Sequence, residues 1–260
     1  MPKNSPRVSV IIPTRNSLRT LREALKSVFR QTYPFYEIVV VDDASRDGTA
    51  RALAPMAQAG RLRYIKLRRP VGAAEARNIG IRATKTPFVA FLDADDLWRP
   101  EKLAVQMRAL EKTGALFCYS RYTVVGPAGR TLAHPTWRSF GGFPRIGLPL
   151  YPRTSTCVLS RQIFRRVGVF DPIFKLRHDE TDFFYRVRQK LGKRAFLYLS
   201  RPLVKYRFSP DRHSAYWKTG ARAAPFQIQR RFDLFHFFEK HPRAGHIFAR
   251  SAYERAWRKG

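Results

Sequence analysis

The sequence predicts an α/β fold in which a mostly parallel, Rossmann-like sheet is flanked by helices. Strand-like and helix-like segments alternate through residues 1–114 in the order β-α-β-α-β-α-β-α, which is typical of a doubly wound fold. Two of the strand-like segments are nearly continuous apolar runs, as expected of strands that a parallel sheet buries on both faces. With 260 residues and 44% apolar content, the chain is long enough to bury a sizeable core.

The elements of the first half follow from periodicity and from the residues that end each segment. Strands are expected at residues 7–12, 38–41, 61–67 and 86–92. Helices are expected at residues 18–31, 49–59, 72–84 and 100–111. The first helix has apolar residues at the spacing of one buried stripe, and Tyr33 with Pro34 ends it.

The second half is less regular in pattern. Strands are expected at residues 115–125, 156–159, 195–199 and 203–206, and helices at 161–167, from 177 onward and at 226–241. Residues 126–129 are a hairpin-type turn, and residues 133–152, rich in Gly, Pro and aromatic residues, are expected to form a loop over the substrate. The helix at 226–241 is basic and aromatic, a pattern that fits either a membrane interface or packing over the sheet.

Carboxylates stand at the ends of two predicted parallel strands. Asp42 and Asp43 follow the second strand, and Asp93, Asp95 and Asp96 follow the fourth. Parallel strands end at one edge of the sheet, where open α/β sheets bind ligands. Asp93 and Asp95 can converge on a hard cation such as Mg²⁺ or Mn²⁺, and the alternative is a solvated turn that caps the next helix.

The composition indicates where the protein works and what kinds of partner its charge attracts. The chain carries 50 Lys and Arg against 19 Asp and Glu, and its net charge is +31, of which +21 lies in residues 115–260. Such a field attracts nucleic acid, anionic lipid or an acidic substrate. Cys118 and Cys157 lack metal-type spacing, and neither a signal peptide nor a bilayer-crossing apolar run is evident, so a cytoplasmic location is expected.

Four ordered sequence blocks carry a family resemblance. VSVIIPTRN, QTYPFYEIVVVDDASRDGT, GAAEARNIGI and FVAFLDADDLWRPEKL occur in this order across about the first 110 residues, and HDETDFFYR and YRFSPDRHS follow in the second half. They resemble the blocks of family 2 glycosyltransferases, the inverting enzymes of the GT-A fold. The resemblance implies a nucleotide-sugar-binding half at residues 1–114 and an acceptor-binding half at 115–220. The residue pattern predicts a basic aromatic helical tail at 221–260.

The resemblance also implies a nucleotide pocket at the edge of the sheet. Asp43 matches the acid that hydrogen-bonds the nucleobase, with Pro13 and Thr14 lining the same pocket. Arg77 falls where the family often has a nucleotide-contacting arginine, and an arginine that simply covers the sheet is the alternative.

Asp93 and Asp95 match the DxD motif of the family. The first is expected near the ribose and the metal, and the second on a Mg²⁺ or Mn²⁺ ion that bridges the diphosphate. His213 corresponds to a histidine that completes the metal site in some relatives, and a surface histidine is the alternative. Asp96 is either a further contact at this site or the N-terminal cap of the helix that begins near Pro100, and the cap is the preferred interpretation.

An inverting transfer needs a base for the acceptor hydroxyl, and the family uses an acid six residues before an arginine. Counting back from Arg186 gives Glu180 with Asp179 before it, so the order is Asp-Glu where the family has Glu-Asp. Glu180 is favoured over Asp179 as the base. The alternative is that these acids merely complement the dipole at a helix N-terminus.

The resemblance therefore implies transfer of a sugar from a nucleotide sugar, with UDP as the carrier, to a hydroxyl of a saccharide or lipid-linked acceptor. Cell-surface glycan synthesis at the cytoplasmic face of a membrane is the expected setting, because the basic second half suits an anionic surface. A nucleic-acid-binding protein is one alternative, for which no binding motif is evident. A non-catalytic glycosyltransferase-like protein is another, which the Asp-Glu order leaves open.

Overall fold

The computed structural model describes residues 7–34, 37–133, 152–174 and 179–208. The strands are β1 (Val8–Thr14), β2 (Glu37–Asp42), β3 (Arg63–Lys66), β4 (Phe88–Phe91), β5 (Leu97–Trp98), β6 (Phe117–Val125), β7 (Thr131–Ala133), β8 (Cys157–Ser160) and β9 (Phe196–Arg207). The helices are α1 (Leu18–Phe29), α2 (Thr49–Gln58), α3 (Ala73–Ala83), α4 (Lys102–Thr113), α5 (Gln162–Val167) and α6 (Asp179–Leu191), with short 3₁₀ turns at Thr154–Thr156 and Lys193–Ala195.

Within the described residues, these strands form one sheet in the order β3-β2-β1-β4-β8-β6-β9-β5, with β7 paired to β6. The pairs β1–β2, β2–β3 and β1–β4 are parallel, which confirms the predicted parallel half. Ile11 lies opposite Val39 on one side and Phe91 on the other. The carboxyl ends of β1, β2 and β4 therefore meet at one edge, hereafter the carboxyl edge.

Helices cover both faces of the sheet, because the side chains of the central strands are apolar on both faces. On one face, Val10 and Val40 pack with Leu21 of α1, Leu53 of α2 and Met107 of α4. On the other face, Ile11 and Phe91 pack with Ile81 of α3, Ile163 of α5 and Phe183 of α6. No helix in the described ranges has both the length and the apolar composition needed to cross a membrane.

The second half of the sheet is mixed in direction. β8 runs antiparallel to β4 and β6, and β9 runs parallel to β6 and antiparallel to β5. The two strands predicted at 195–199 and 203–206 are one strand, β9. Its register against β6 shifts on both sides of Pro202, once between Leu199 and Pro202 and once between Pro202 and Val204, and proline has no N–H to donate to the ladder.

Helix α4 begins at Lys102 rather than at residue 100, where the prediction placed it. The Lys102 side chain is fully buried, with its Nζ atom 4.0 Å from the centroid of the Trp98 ring. Burial lowers the pKa of Lys102 to about 7.

The predicted helix at 226–241 and most of the predicted loop at 133–152 lie outside the described residues.

Candidate active site

The carboxyl edge brings together side chains from both halves of the chain. Asp43 follows β2, Asp93 follows β4, Thr154 lies in the turn before β8, and Asp179 and Glu180 open α6. Carboxylates at the start of α6 also suit the positive end of its dipole. The acidic side chains therefore lie at the carboxyl edge, as the strand ends predicted.

Asp43 is buried and holds the loop that leads into α3. Its Oδ1 accepts a hydrogen bond from the Val71 N–H at 2.6 Å, and its Oδ2 accepts one from the Gly72 N–H at 3.0 Å. Thr14, at the end of β1, is also buried, and within the described part of the chain its Oγ1 has no hydrogen-bond partner. Pro13 is buried beside it. Pro13 and Thr14 thus form the buried end of β1 at the carboxyl edge, next to the end of β2.

Arg77 joins the two halves of the edge. From α3 it donates through Nη2 to Asp93 Oδ1 at 2.7 Å and through Nη1 to Asp179 Oδ2 at 2.5 Å, and its side chain is only 7% exposed. Burial acts to lower the pKa of Arg77, but the carboxylates of Asp93 and Asp179 outweigh it and raise that pKa, so the guanidinium stays charged. Arg77 therefore does more than cover the sheet, because it links Asp93 and Asp179.

Glu180 is held by the 3₁₀ turn before β8. Arg153 Nη1 donates to its Oε1 at 3.1 Å, and the Thr154 N–H donates to its Oε2 at 3.2 Å. Thr154 also donates through its hydroxyl to Asp93 Oδ2 at 3.1 Å. Thr154 thus contacts both Asp93, which follows β4, and Glu180, in the first turn of α6.

Asp179 and Glu180 have different surroundings. Burial raises the pKa of Asp179, and the guanidinium of Arg77 opposes this. Burial likewise raises the pKa of Glu180, opposed by Arg153. The Glu180 side chain is 17% exposed and that of Asp179 is 10% exposed, so Glu180 is the more accessible of the two. Both are carboxyl groups whose basicity exceeds that of a fully solvated acid.

The three acids after β4 have separate environments. Asp93 is 31% exposed, and each of its oxygens accepts a hydrogen bond from the protein, one from Arg77 and one from Thr154. Asp95 is half-buried on the wall of a cavity of about 550 Å³ that α1 and Arg207 also line. Asp96 is fully buried.

The interpretation of Asp96 as a helix cap is wrong. Its Oδ1 accepts a hydrogen bond from the Arg207 N–H at 2.9 Å, whereas the capping position of α4 is occupied by Glu101. Burial, together with the carboxylates of Asp95 and Asp93, raises the pKa of Asp96. Asp96 binds Arg207 rather than the start of α4 because β9 ends beside the turn after β4.

The donor set at this turn is chemically suited to a hard cation. In the ranges described, no three or more His, Cys, Asp and Glu side chains are grouped to hold a metal ion. Asp93 and Asp95 supply carboxylate oxygens, the ligands that Mg²⁺ and Mn²⁺ prefer, and Mg²⁺ commonly takes one or two carboxylates with substrate phosphates and water. His213 lies outside the described residues.

Arg153 and Thr154 are the site residues that sequence reasoning missed. They follow a stretch without periodicity, and a short polar run before a predicted strand was the only signal. Their role depends on the placement of α6, which starts some 25 residues later in the chain.

Comparison with known proteins identifies relatives of this chain. The model of the family described as glycosyl transferase family 2 matches residues 9–170. The chain is 32% identical over 145 residues to the uncharacterized glycosyltransferase RC0461 of Rickettsia conorii, covering 55% of this chain and 24% of that protein. It is 32% identical over 176 residues to the succinoglycan biosynthesis protein ExoO of Rhizobium meliloti, covering 68% and 49%.

A third relative is WfgD of Escherichia coli, a UDP-Glc:alpha-D-GlcNAc-diphosphoundecaprenol beta-1,3-glucosyltransferase, which is 34% identical over 118 residues, covering 45% of this chain and 46% of that protein. The chain spans between about a quarter and a half of the length of these three relatives.

Solved structures share the fold. S. aureus TarS 1–349 in complex with UDP-GlcNAc superposes with a TM-score of 0.60 at 22% identity, covering 78% of this chain and 58% of that one. The mannosyltransferase PcManGT of Pyrobaculum calidifontis, in complex with GDP-Man and Mn²⁺, superposes with a TM-score of 0.60 at 20% identity, covering 93% and 66%. With well over half of its residues matched by the family model, and with the predicted GT-A-like fold, the chain belongs to glycosyl transferase family 2.

Proposed function

We propose that this protein is an inverting, metal-dependent glycosyltransferase that moves a sugar from a nucleoside-diphosphate sugar, with UDP as the carrier, to a hydroxyl acceptor. The observation that carries the proposal is the junction of Asp93, on the donor side, with Asp179 and Glu180 through Arg77 and Thr154. Support comes from the relatives, because WfgD is named for transfer from UDP-Glc and TarS was solved with UDP-GlcNAc. The family match and the buried acids favour this function over nucleic-acid binding.

On the donor side, Pro13, Thr14 and Asp43 would bind the nucleobase. The Asp43 N–H donates to the Thr14 carbonyl oxygen at 2.8 Å, and this contact between the ends of β1 and β2 supports a shared pocket. Asp43 uses one hydrogen bond on each oxygen to fix the loop at Val71, and each carboxylate oxygen retains a further lone pair for a base N–H.

Asp95, with Asp93 beside it, would hold the Mg²⁺ or Mn²⁺ ion, and His213 is proposed as a further ligand. When bound, the cation supplies positive charge that stabilises the departing diphosphate. PcManGT was solved with Mn²⁺ and a nucleotide sugar, which supports a cation here. Arg77, which remains charged, adds a fixed positive group near Asp93.

On the acceptor side, Glu180 would accept the proton of the attacking hydroxyl, with Asp179 as its neighbour held by Arg77. Burial raises the pKa of both acids, which makes each a better proton acceptor near neutral pH than a solvated carboxylate, and the larger exposure of the Glu180 side chain, 17% against 10%, favours Glu180 in this role. The Arg153 guanidinium and the Thr154 N–H orient its two oxygens.

The division of labour within the chain is also proposed. Residues 1–114 would bind the donor, residues 115–220 the acceptor, and residues 221–260 would form a basic tail. The names of WfgD and ExoO, which refer to a lipid-diphosphate-linked sugar and to succinoglycan synthesis, support a saccharide or lipid-linked acceptor in cell-surface polysaccharide synthesis. A peripheral position on the cytoplasmic face of a membrane is proposed from the basic charge.

The proposal is tested by ligand-linked stabilisation and by turnover. UDP or a UDP-sugar with Mn²⁺ should raise the unfolding temperature more than GDP derivatives do, because a ligand that binds only the folded state stabilises it. Asp95→Asn should lose the Mn²⁺-dependent part of this shift. Glu180→Gln should keep the shift and lose transfer by at least 100-fold. Unchanged transfer in both variants would contradict the proposed mechanism.

A further inference from the structure

Arg207, the last residue of β9, fastens the turn that follows β4. Its backbone N–H donates to Asp96 Oδ1 at 2.9 Å, and its Nε donates to the Asp95 carbonyl oxygen at 2.9 Å. Its Nη1 donates to the Pro127 carbonyl oxygen at 2.7 Å, and its Nη2 pairs with the Glu23 carboxylate. The residue is only 6% exposed, so these bonds form largely away from water.

Two of these bonds hold Asp95 and Asp96, and the backbone conformation of these residues determines where the Asp95 carboxylate lies. The turn is closed by the Asp96 N–H, which donates to the Asp93 carbonyl oxygen at 3.1 Å, and β5 then pairs with β9. Asp95 is thereby fixed through its own carbonyl and through the side chain of the next residue. Asp95 and Arg207 line the same cavity of about 550 Å³.

The guanidinium geometry matters for this arrangement. A planar fork can donate at once to carbonyl oxygens on two separate turns and to a carboxylate on α1. A lysine at position 207 would keep the charge and the backbone N–H, but a single ammonium on a flexible stem cannot span the same three acceptors. The change to lysine therefore loosens the turn without removing the positive charge.

We infer that Arg207 is a positioning residue for Asp95, holding the turn in the conformation that presents this carboxylate to a divalent cation and a nucleoside diphosphate. The inference rests on the proposed function, because the cation and the diphosphate are the ligands of that site. The role assigned to Arg207 is to place Asp95, through the Asp95 carbonyl oxygen and the Asp96 side chain.

Arg161 provides a matched control at the opposite end of β4. Its Nε donates to the Thr86 carbonyl oxygen at 2.6 Å, its Nη1 to the Ile81 carbonyl oxygen at 3.1 Å and its Nη2 to Thr84 Oγ1 at 2.5 Å. It is likewise an arginine that fastens backbone carbonyls next to β4, but at the edge away from Asp95. Arg161→Lys therefore reports the general cost of losing such a fork.

The experiment measures UDP binding to the full chain by calorimetry, with and without Mn²⁺, together with thermal unfolding. Arg207→Lys should weaken UDP binding at least tenfold in the presence of Mn²⁺ and less than twofold in its absence. Arg161→Lys should lower the unfolding temperature and leave both affinities within twofold. Glu23→Gln removes the charge of one partly exposed partner of Arg207 and should weaken UDP binding in the presence of Mn²⁺ by a smaller factor than Arg207→Lys. This second variant tests the inference if Arg207→Lys folds poorly.

Equal losses in Arg207→Lys with and without Mn²⁺, or equal losses in Arg207→Lys and Arg161→Lys, would overturn the inference and leave the proposed function standing. An unchanged Mn²⁺-supported affinity in both Arg207→Lys and Glu23→Gln would do the same. If the unaltered chain binds no nucleotide with Mn²⁺, the proposed function is overturned, and this inference with it.

Discussion

At the scale of single residues, the two largest influences on the pKa of Glu180 oppose each other. Burial raises its pKa, and the Arg153 guanidinium 3.1 Å from Oε1 lowers it. The Arg153 guanidinium in turn lies 5.1 Å from the centroid of the Tyr206 ring, which restricts its movement. Arg153 is therefore placed to tune the proposed base without being the base.

Replacing Arg153 should shift the pH dependence of transfer. The base must be ionised to accept a proton, so kcat/KM falls as the pH drops below its pKa. Arg153 favours the ionised form, so Arg153→Gln raises the pKa of Glu180 and should move the acidic limb of the profile to higher pH. The measurement is a pH profile of kcat/KM.

The control for this shift is Arg201→Gln, which removes an arginine paired with Glu101 at the surface. Exposed pairs of this kind contribute little, so the control profile should match that of the unaltered chain. A uniform loss of kcat/KM at every pH in Arg153→Gln, with no displacement of the limb, would mean that Arg153 has only a structural role.

At the scale of elements, the site depends on how closely α3 approaches the sheet. Gly80 of α3 packs directly over β1, and a Cβ atom at this position would lie 2.3 Å from Ile11 Cγ2. Arg77 lies one turn earlier on the same helix, so the depth of α3 determines whether its guanidinium reaches both Asp93 and Asp179. The glycine is required by this close approach.

Gly80→Ala should destabilise the fold by about 1–3 kcal/mol, the usual cost of overpacking a core. The direction is informative, because alanine in an unconstrained helix interior is more stable than glycine by roughly 0.5–1 kcal/mol. Urea denaturation measures the difference. Gly126→Ala is the control, since its nearest contacts would be 3.5 Å away on the Leu132 side chain. A stabilised Gly80→Ala variant would show that α3 does not pack this closely.

At the scale of the whole molecule, charge dominates the long-range behaviour. The net charge of +31 creates a field that reaches about a Debye length, roughly 8 Å at physiological salt, and that favours anionic surfaces. A membrane-associated acceptor would be consistent with this field. Each basic side chain near an anionic leaflet contributes about 1 kcal/mol to such binding.

The protein should co-sediment with vesicles that contain anionic phospholipid more strongly than with neutral vesicles of equal size. Raising the salt to about 0.5 M should release most of the bound protein, because added ions screen the attraction. Equal binding to the two kinds of vesicle would argue against a peripheral membrane position. A salt-insensitive association would instead indicate insertion of apolar side chains.

The sequence alone determined the parallel half of the sheet and the edge at which the acids lie. The apolar runs at β2 and β4 require burial on both faces, and parallel strands that end in carboxylates must place them at one edge. The family was likewise evident from the four ordered blocks across about the first 110 residues, and the family model matches residues 9–170. These features depend on local pattern and strand direction, which a single sequence contains.

Only the tertiary structure decided the partners of the charged residues. Arg77 and Asp179 lie 102 residues apart in the chain, and Arg207 and Asp96 lie 111 apart. Such pairs have no periodicity that links them, because their meeting depends on how the mixed half of the sheet packs against the parallel half. For the same reason Asp96 could not be recognised as the partner of Arg207 rather than a helix cap, nor Arg153 and Thr154 as supports of Glu180.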